Sequence, residues 1–320
     1  MKLLAHKYKN IGHLQKFCEE SIGEHSYTSA IALVAFDDGC KKEALEASEF
    51  LQKSYKKIVV VSFPVEAGCM GERLISKGVM ITVILTKKAT VKAVACESSK
   101  ITDSFLAEYR NDELKAAIVF SSISYLPPQE LNNALNSLNT KIVGIKSFSE
   151  HSKASIYLDS KELKNGVVVA VFSGKNLQAQ IYKNSEIKPI SKKLQVTSAK
   201  HGFVYELEGL ELLEAYKKLL GEDIVTEDPL LAACRFPLIS QKSAKALFIE
   251  EFGFKKAVMR GDANDGDMLQ IGYASLKNIS QRSFETAKEA RAHSPSAILI
   301  FSDYTLRKFF KNKTQLAIPG

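Results

Sequence analysis

Two aspartate-bearing stretches hold residue types that could do chemistry. Phe36-Asp37-Asp38-Gly39 follows an apolar run, and Gly261-Asp262-Ala263-Asn264-Asp265-Gly266-Asp267-Met268 gathers three acids in one polar stretch. A Mg²⁺-dependent aspartyl nucleophile needs a second carboxylate two residues away, so that both address the metal from a strand end. Here Asp37 and Asp38 are adjacent, and the position upstream is Phe36. Read as a calcium loop from Asp262, the second stretch has Asp267 where a glycine turn is required and Tyr273 where a bidentate glutamate is required. It reads as a turn between strands. Cys69 lies between Gly68 and Met70, with Glu72 nearby, and none of the six histidines (6, 13, 25, 151, 201, 293) is placed by local sequence to activate it. G-x-S-x-G, Walker and G-x-G-x-x-G patterns are absent from the sequence. The expectation is a chain with no catalytic residue, no metal and no cofactor.

A second set of polar residues closes apolar strands. Asp37, Ser121 and Ser302 end three similar runs, and Ser62 and Lys146 end the strands that follow the first two. In open α/β sheets, ligands collect at the carboxyl ends of strands. Arg307, about one helical turn after Ser302, has the geometry to grip a carboxylate with two parallel hydrogen bonds. Ser62, Ser121, Lys146, Ser302 and Arg307 are therefore the candidate ligand-binding residues.

The elements that must position them repeat. Ala30–Phe36, Ala116–Phe120 and Ala297–Phe301 are continuous apolar runs ending in Phe, as buried strands do. After the first comes a helix from Glu43 to Ser54, a strand Ile58–Ser62, and a strand Val79–Leu85 behind Gly78. After the second, Pro127-Pro128 opens a helix with Leu131, Leu135 and Leu138 on one face; Ile142–Ile145 and Val167–Phe172 are its strands. Ile58 to Ile142 is 142 − 58 = 84 residues and Gly78 to Gly166 is 166 − 78 = 88. Such constancy marks a duplication. Leu177–Tyr182 is expected to pair back as a hairpin strand. Further strands are expected at 193–197, 203–207, 246–249, 255–260 and 268–273, with helices at 210–220 and 279–292. The third run is expected to begin a third copy that is cut short, because 320 − 301 = 19 residues cannot complete a βαβ unit.

Composition bounds the rest. The chain has 320 residues, 45% hydrophobic and 25% charged, with a formal charge of +8, a globular profile. Lysines are scattered as pairs, without a basic run interleaved with aromatics, so nucleic acid is not expected as a partner. Five dispersed cysteines form neither a C-x-x-C pair nor a disulfide framework, which suits a reducing cytoplasm. The N-terminus lacks the apolar core of a signal peptide, and no stretch of about 18 apolar residues predicts a membrane span.

The order of these pieces resembles the FIST family, the paired N- and C-terminal FIST sensory domains of prokaryotic signalling proteins. Ile142-Val143-Gly144, the strand Asn165–Gly174, the stretch from Pro189 to Ala199, and Tyr205–Gly209 are similar to successive family motifs. Phe236-Pro237-Leu238 and Phe301-Ser302-Asp303-Tyr304-Thr305-Leu306-Arg307 resemble later ones, with Asp303 in place of the family's cysteine. Gly68-Cys69-Met70-Gly71-Glu72 is a shortened form of its glycine-rich turn. The resemblance implies an α/β fold of repeated βαβ-β units in mixed sheets with packed helices, in two lobes. Residues 1–205 would form an N-terminal FIST-like domain of two repeated units, and 206–320 an incomplete C-terminal one. It also implies a non-enzymatic cytoplasmic sensor of a small polar ligand such as an amino acid, relaying to a kinase, cyclase or chemoreceptor domain. The alternative is a Mg²⁺-dependent phosphatase resembling the haloacid dehalogenases, at Asp37 and the acidic turn.

Overall fold

The computed structural model describes residues 1–65, 68–70, 73–75, 77–123, 129–146, 154–183, 187–200, 202–242, 245–261 and 263–301. The chain forms two compact units, Met1–Ile181 with Ser294–Phe301, and Tyr182–His293.

In the first unit the chain runs β1 (Lys2–Lys7), α1 (Ile11–Ser21), β2 (Ser29–Phe36), α2 (Lys41–Ser54), β3 (Ile58–Pro64), β4 (Gly68–Met70), β5 (Arg73–Ile75) and β6 (Val79–Thr86). It continues through β7 (Thr90–Glu97), β8 (Leu114–Ser121), α3 (Gln129–Asn136), β9 (Lys141–Lys146), β10 (Ile156–Leu158), β11 (Lys161–Leu163) and β12 (Gly166–Ser173). Strands β1-β6-β2-β3 and β7-β12-β8-β9 form two sheets of the same order. In each, the second and third strands in chain order are parallel, and the other pairs are antiparallel. The duplication is thus real in topology, and it begins one strand earlier than the apolar runs indicate, at β1 and β7.

Alternation along the strands builds four layers. Ile31, Leu33 and Ala35 of β2, with Val61 and Phe63 of β3, pack with Ile118, Phe120, Val168, Ala170 and Phe172 of the other sheet. The Phe63 and Phe120 rings meet at 4.8 Å. Intervening residues face helices: Ala32 and Val34 with Leu14, Ala44, Ala47 and Leu51, and Val119 and Val169 with Leu131, Ala134 and Leu138. With both faces covered, neither sheet can show a polar face, which is why the strands read as continuous apolar runs.

The hairpin β10–β11 belongs by sequence to the second repeat but extends the first sheet beyond β3, with Tyr157 opposite Ser62 and Leu158 opposite Val61. Its two-residue turn, Asp159-Ser160, has φ of 46° and 67°, the left-handed pair that a type I′ turn requires. Asp159 donates its N–H to Val60 O and accepts from Val60 N–H, each at 2.9 Å.

His6 of β1 is stacked between His13 (centroids 4.9 Å) and Phe17 (4.4 Å) of α1, with its Nε2 3.2 Å from His13 Nδ1. Burial, then His13 and Lys9, push its pKa from 6.5 to about 4. Between those values the unfolded chain binds a proton that the folded chain refuses, so stability falls as pH drops through that window and levels off below it. His6→Phe keeps the stack and removes the titration. Urea unfolding at pH 7 and 4.5 should show its pH dependence reduced by about 2 kcal/mol; an undiminished dependence would assign the effect elsewhere.

The second unit holds β13 (Ile187–Pro189), β14 (Leu194–Lys200), β15 (Phe203–Leu207), β16 (Leu210–Glu211), α4 (Leu212–Leu220), α5 (Glu222–Glu227) and α6 (Pro229–Arg235). After them come β17 (Leu238–Ser240), β18 (Phe248–Phe252), β19 (Ala257–Arg260), β20 (Met268–Ala274) and α7 (Leu276–Ala292). Its sheet, β13-β20-β14-β15-β19-β18, is antiparallel throughout. Gly221, at φ 98°, ends α4, and Asp228 caps α6 ahead of Pro229. No helix among the described residues is long and apolar enough to cross a membrane.

Two expectations are corrected. Leu177–Tyr182 is not a strand, although the preceding turn forms, with Leu177 N–H donating to Gly174 O at 3.0 Å. Both edges of β12 are already taken by β7 and β8, so a hairpin partner has no edge to join. The run 297–301 is not a strand either. Leu299 and Phe301 pack on the inter-sheet core while Ile298 and Ile300 face outward, an extended alternation without a ladder, and no third βαβ copy is seen among the described residues. The compact units divide after Ile181, ahead of β15, a strand paired on both edges within the second unit.

Candidate functional site

The candidate residues separate into three groups. Ser62 is fully buried beneath α2, with its hydroxyl oxygen 2.7 Å from that of Ser48. Ser48 in turn donates to Ala44 O at 2.7 Å, so Ser62 donates to Ser48 and the pair ties β3 to the helix. Its hydroxyl faces the helix layer.

Ser121 and Lys146 end the parallel strands β8 and β9 and are direct register partners. Ser121 is half-buried and its Oγ accepts from Ile123 N–H at 3.2 Å. Ser122, which the sequence reading passed over, is buried beside it; its hydroxyl donates to Leu163 O at 3.0 Å and accepts from Gly166 N–H at 3.1 Å. That clamp holds the end of β8 against the start of β12. The Lys146 side chain, Ser302 and Arg307 lie outside the described residues, as does the side chain of Cys69.

The aspartates act on backbone. Asp37 accepts from Gly39 N–H at 3.0 Å with one carboxylate oxygen and from Gly78 N–H with the other, and its own N–H donates to Gly78 O at 3.2 Å. It is a turn anchor joining the ends of β2 and β6. In the acidic turn, Asp265 accepts from Ala199 N–H at 2.5 Å and Asp267 from Asn264 N–H at 2.9 Å; Asp262 lies outside the described residues. Gly266, at φ 84°, supplies the left-handed position the turn needs. Among the described residues no three His, Cys, Asp or Glu side chains are grouped to hold a metal.

One open cleft of about 630 Å³ lies at the opposite end of the second sheet. Lys115 of β8, Lys141 of β9 and Lys175 after β12 line it, with Asn139, Thr140 and Gln178. These lysines are separated by 26 (141 − 115) and 34 (175 − 141) residues, so no local sequence signal announced them.

A family model described as FIST N domain matches residues 26–210. The match covers 210 − 26 + 1 = 185 of 320 residues, more than half of the chain, and it takes in both βαβ units. No curated protein matches. FIST is a sensory, non-catalytic domain family found in signalling proteins. The duplicated βαβ-β sheets and this match lead to one conclusion: the chain belongs to the FIST family.

Proposed function

We propose that the chain is a non-enzymatic cytoplasmic sensory module that binds a small polar metabolite of amino-acid type and relays its occupancy to a kinase, cyclase or chemoreceptor partner. The observation that carries this reading is the pairing of Ser121 with Lys146 at the carboxyl ends of the only parallel strands of the second sheet among the described residues, within a sensory family. Serine and lysine at paired strand ends carry the two groups, hydroxyl and ammonium, that suit the carboxylate every amino acid presents, and Arg307 and Ser302 complete the proposed set. The binding of both Asp37 oxygens to backbone amides favours a structural aspartate over a phosphatase nucleophile.

Titration of the full chain with individual amino acids tests the proposal calorimetrically. At least one should bind, and Lys146→Ala should weaken it about 10-fold or more, the loss of one charge-assisted hydrogen bond of about 1.5–3 kcal/mol. Ser121→Ala should give a smaller loss. Affinity unchanged in both variants would move the site elsewhere.

A further inference from the structure

The lysine-lined cleft is built from parts the proposed sensory site does not use. Its walls come from the amino ends of β8 and β9 and the segment after β12, whereas Ser121 and Lys146 stand at the carboxyl ends of the same strands. We propose that this cleft is a second binding site, for a small non-aromatic molecule carrying two or three negative charges.

Charge comes first. Three lysines from three separate elements line one cleft, and no acidic residue is among its described lining. Their charges are poorly neutralised: Lys115 donates to the carbonyl of Asp112 at 2.7 Å, which carries no full charge, and Lys175 reaches Glu113 only at 4.0 Å, with that pair's side chains 84% and 50% exposed. Exposed pairs of this kind add little. Lys141 makes no ion pair with a described residue. Helix α3 ends just before Asn139, and its carboxyl end carries a partial negative charge of about half a unit, which three lysines outweigh. Three like charges answered by a single exposed carboxylate at 4.0 Å favour an anion in the space between them.

Shape and chemistry narrow the class. The volume suits a metabolite rather than a single inorganic ion. Asn139, Thr140 and Gln178 supply neutral polar groups around the lysines, and the apolar lining is limited to two leucines and an alanine. No aromatic side chain is among the described lining, so it offers no platform for stacking a base. A polycarboxylate or a phosphorylated non-aromatic compound shares the required chemistry.

Calorimetric titration with citrate and with pyrophosphate, at about 50 mM salt where screening is modest, distinguishes these two sources. At least one should bind with a Kd of about 100 µM or tighter. Lys141→Gln and Lys175→Gln, at exposed positions that leave the fold intact, should each weaken it about 5-fold or more, and Lys146→Ala should leave it unchanged. The last arm separates failure here from failure of the amino-acid site. Absence of binding by both anions, equal affinity in the Lys141 and Lys175 variants, or tighter capture of a single-stranded oligonucleotide than of either anion would overturn the proposal.

Discussion

Replacing Phe120 with alanine is expected to cost the first unit about 3–5 kcal/mol, the range for truncating a fully buried aromatic. Phe120 is completely buried, and its ring meets Phe63 across the interface between the two sheets. The change leaves a void in the one layer that joins the repeats, bounded by strands hydrogen-bonded on both sides and therefore slow to collapse into it. For a unit of this size the melting temperature should fall by about 2–4 °C per kcal/mol, so a loss near 10 °C is the expected reading. Phe284→Ala is the control: Phe284 is 60% exposed on α7, and surface changes of this kind stay within about 0.5 kcal/mol. Equal effects from the two substitutions would show that the sheets do not pack through Phe120.

A comparable loss is expected in the second unit from Tyr216→Ala. Tyr216 is completely buried on α4, edge-on to Phe252 at 4.9 Å, and its hydroxyl donates to Phe236 O at 2.7 Å. Burial holds the phenol well above its usual pKa, which keeps it protonated as a donor at neutral pH. Truncation should cost about 3–5 kcal/mol, and Tyr216→Phe about 1–2 kcal/mol for the unmade hydrogen bond alone. Hydrogen exchange resolves where each loss falls. Tyr216→Ala should deprotect β14, β15 and β19, whereas Phe120→Ala should deprotect β8 and β12. Identical exchange patterns in the two variants would mean that the compact units do not unfold separately.

What the sequence made legible follows from burial. The strands β2, β3, β6, β8 and β12 were readable because both faces are covered, so their apolar runs are nearly unbroken; β9, only partly buried, was readable from its repeat of the β3 position. The outer strands β1 and β7 carry Lys2, Lys7 and Lys92 within or at their ends, and charge hid them. The hairpin β10–β11 was missed because Asp159-Ser160 lacks the Asn-Gly signature of its turn type. Leu177–Tyr182 was misread for a different reason: whether an apolar segment pairs depends on a free edge, and edge occupancy is a property of the whole sheet. Ser62 could have been placed by period two, since it alternates with Val61 and Phe63 and shares a face with Val60 beneath α2. The lysine cleft could not, because its three cations meet only after β8, β9 and β12 are assembled.

Saturation-transfer NMR on a mixture of free amino acids is the most direct test of the sensory reading, because it reports binding and turnover in one sample. The account predicts transfer from the full chain to at least one amino acid, loss of that transfer in Lys146→Ala, and unchanged ligand signal intensity over hours of incubation. A folded chain that transfers saturation to none of them, or that consumes the one it binds, would contradict it.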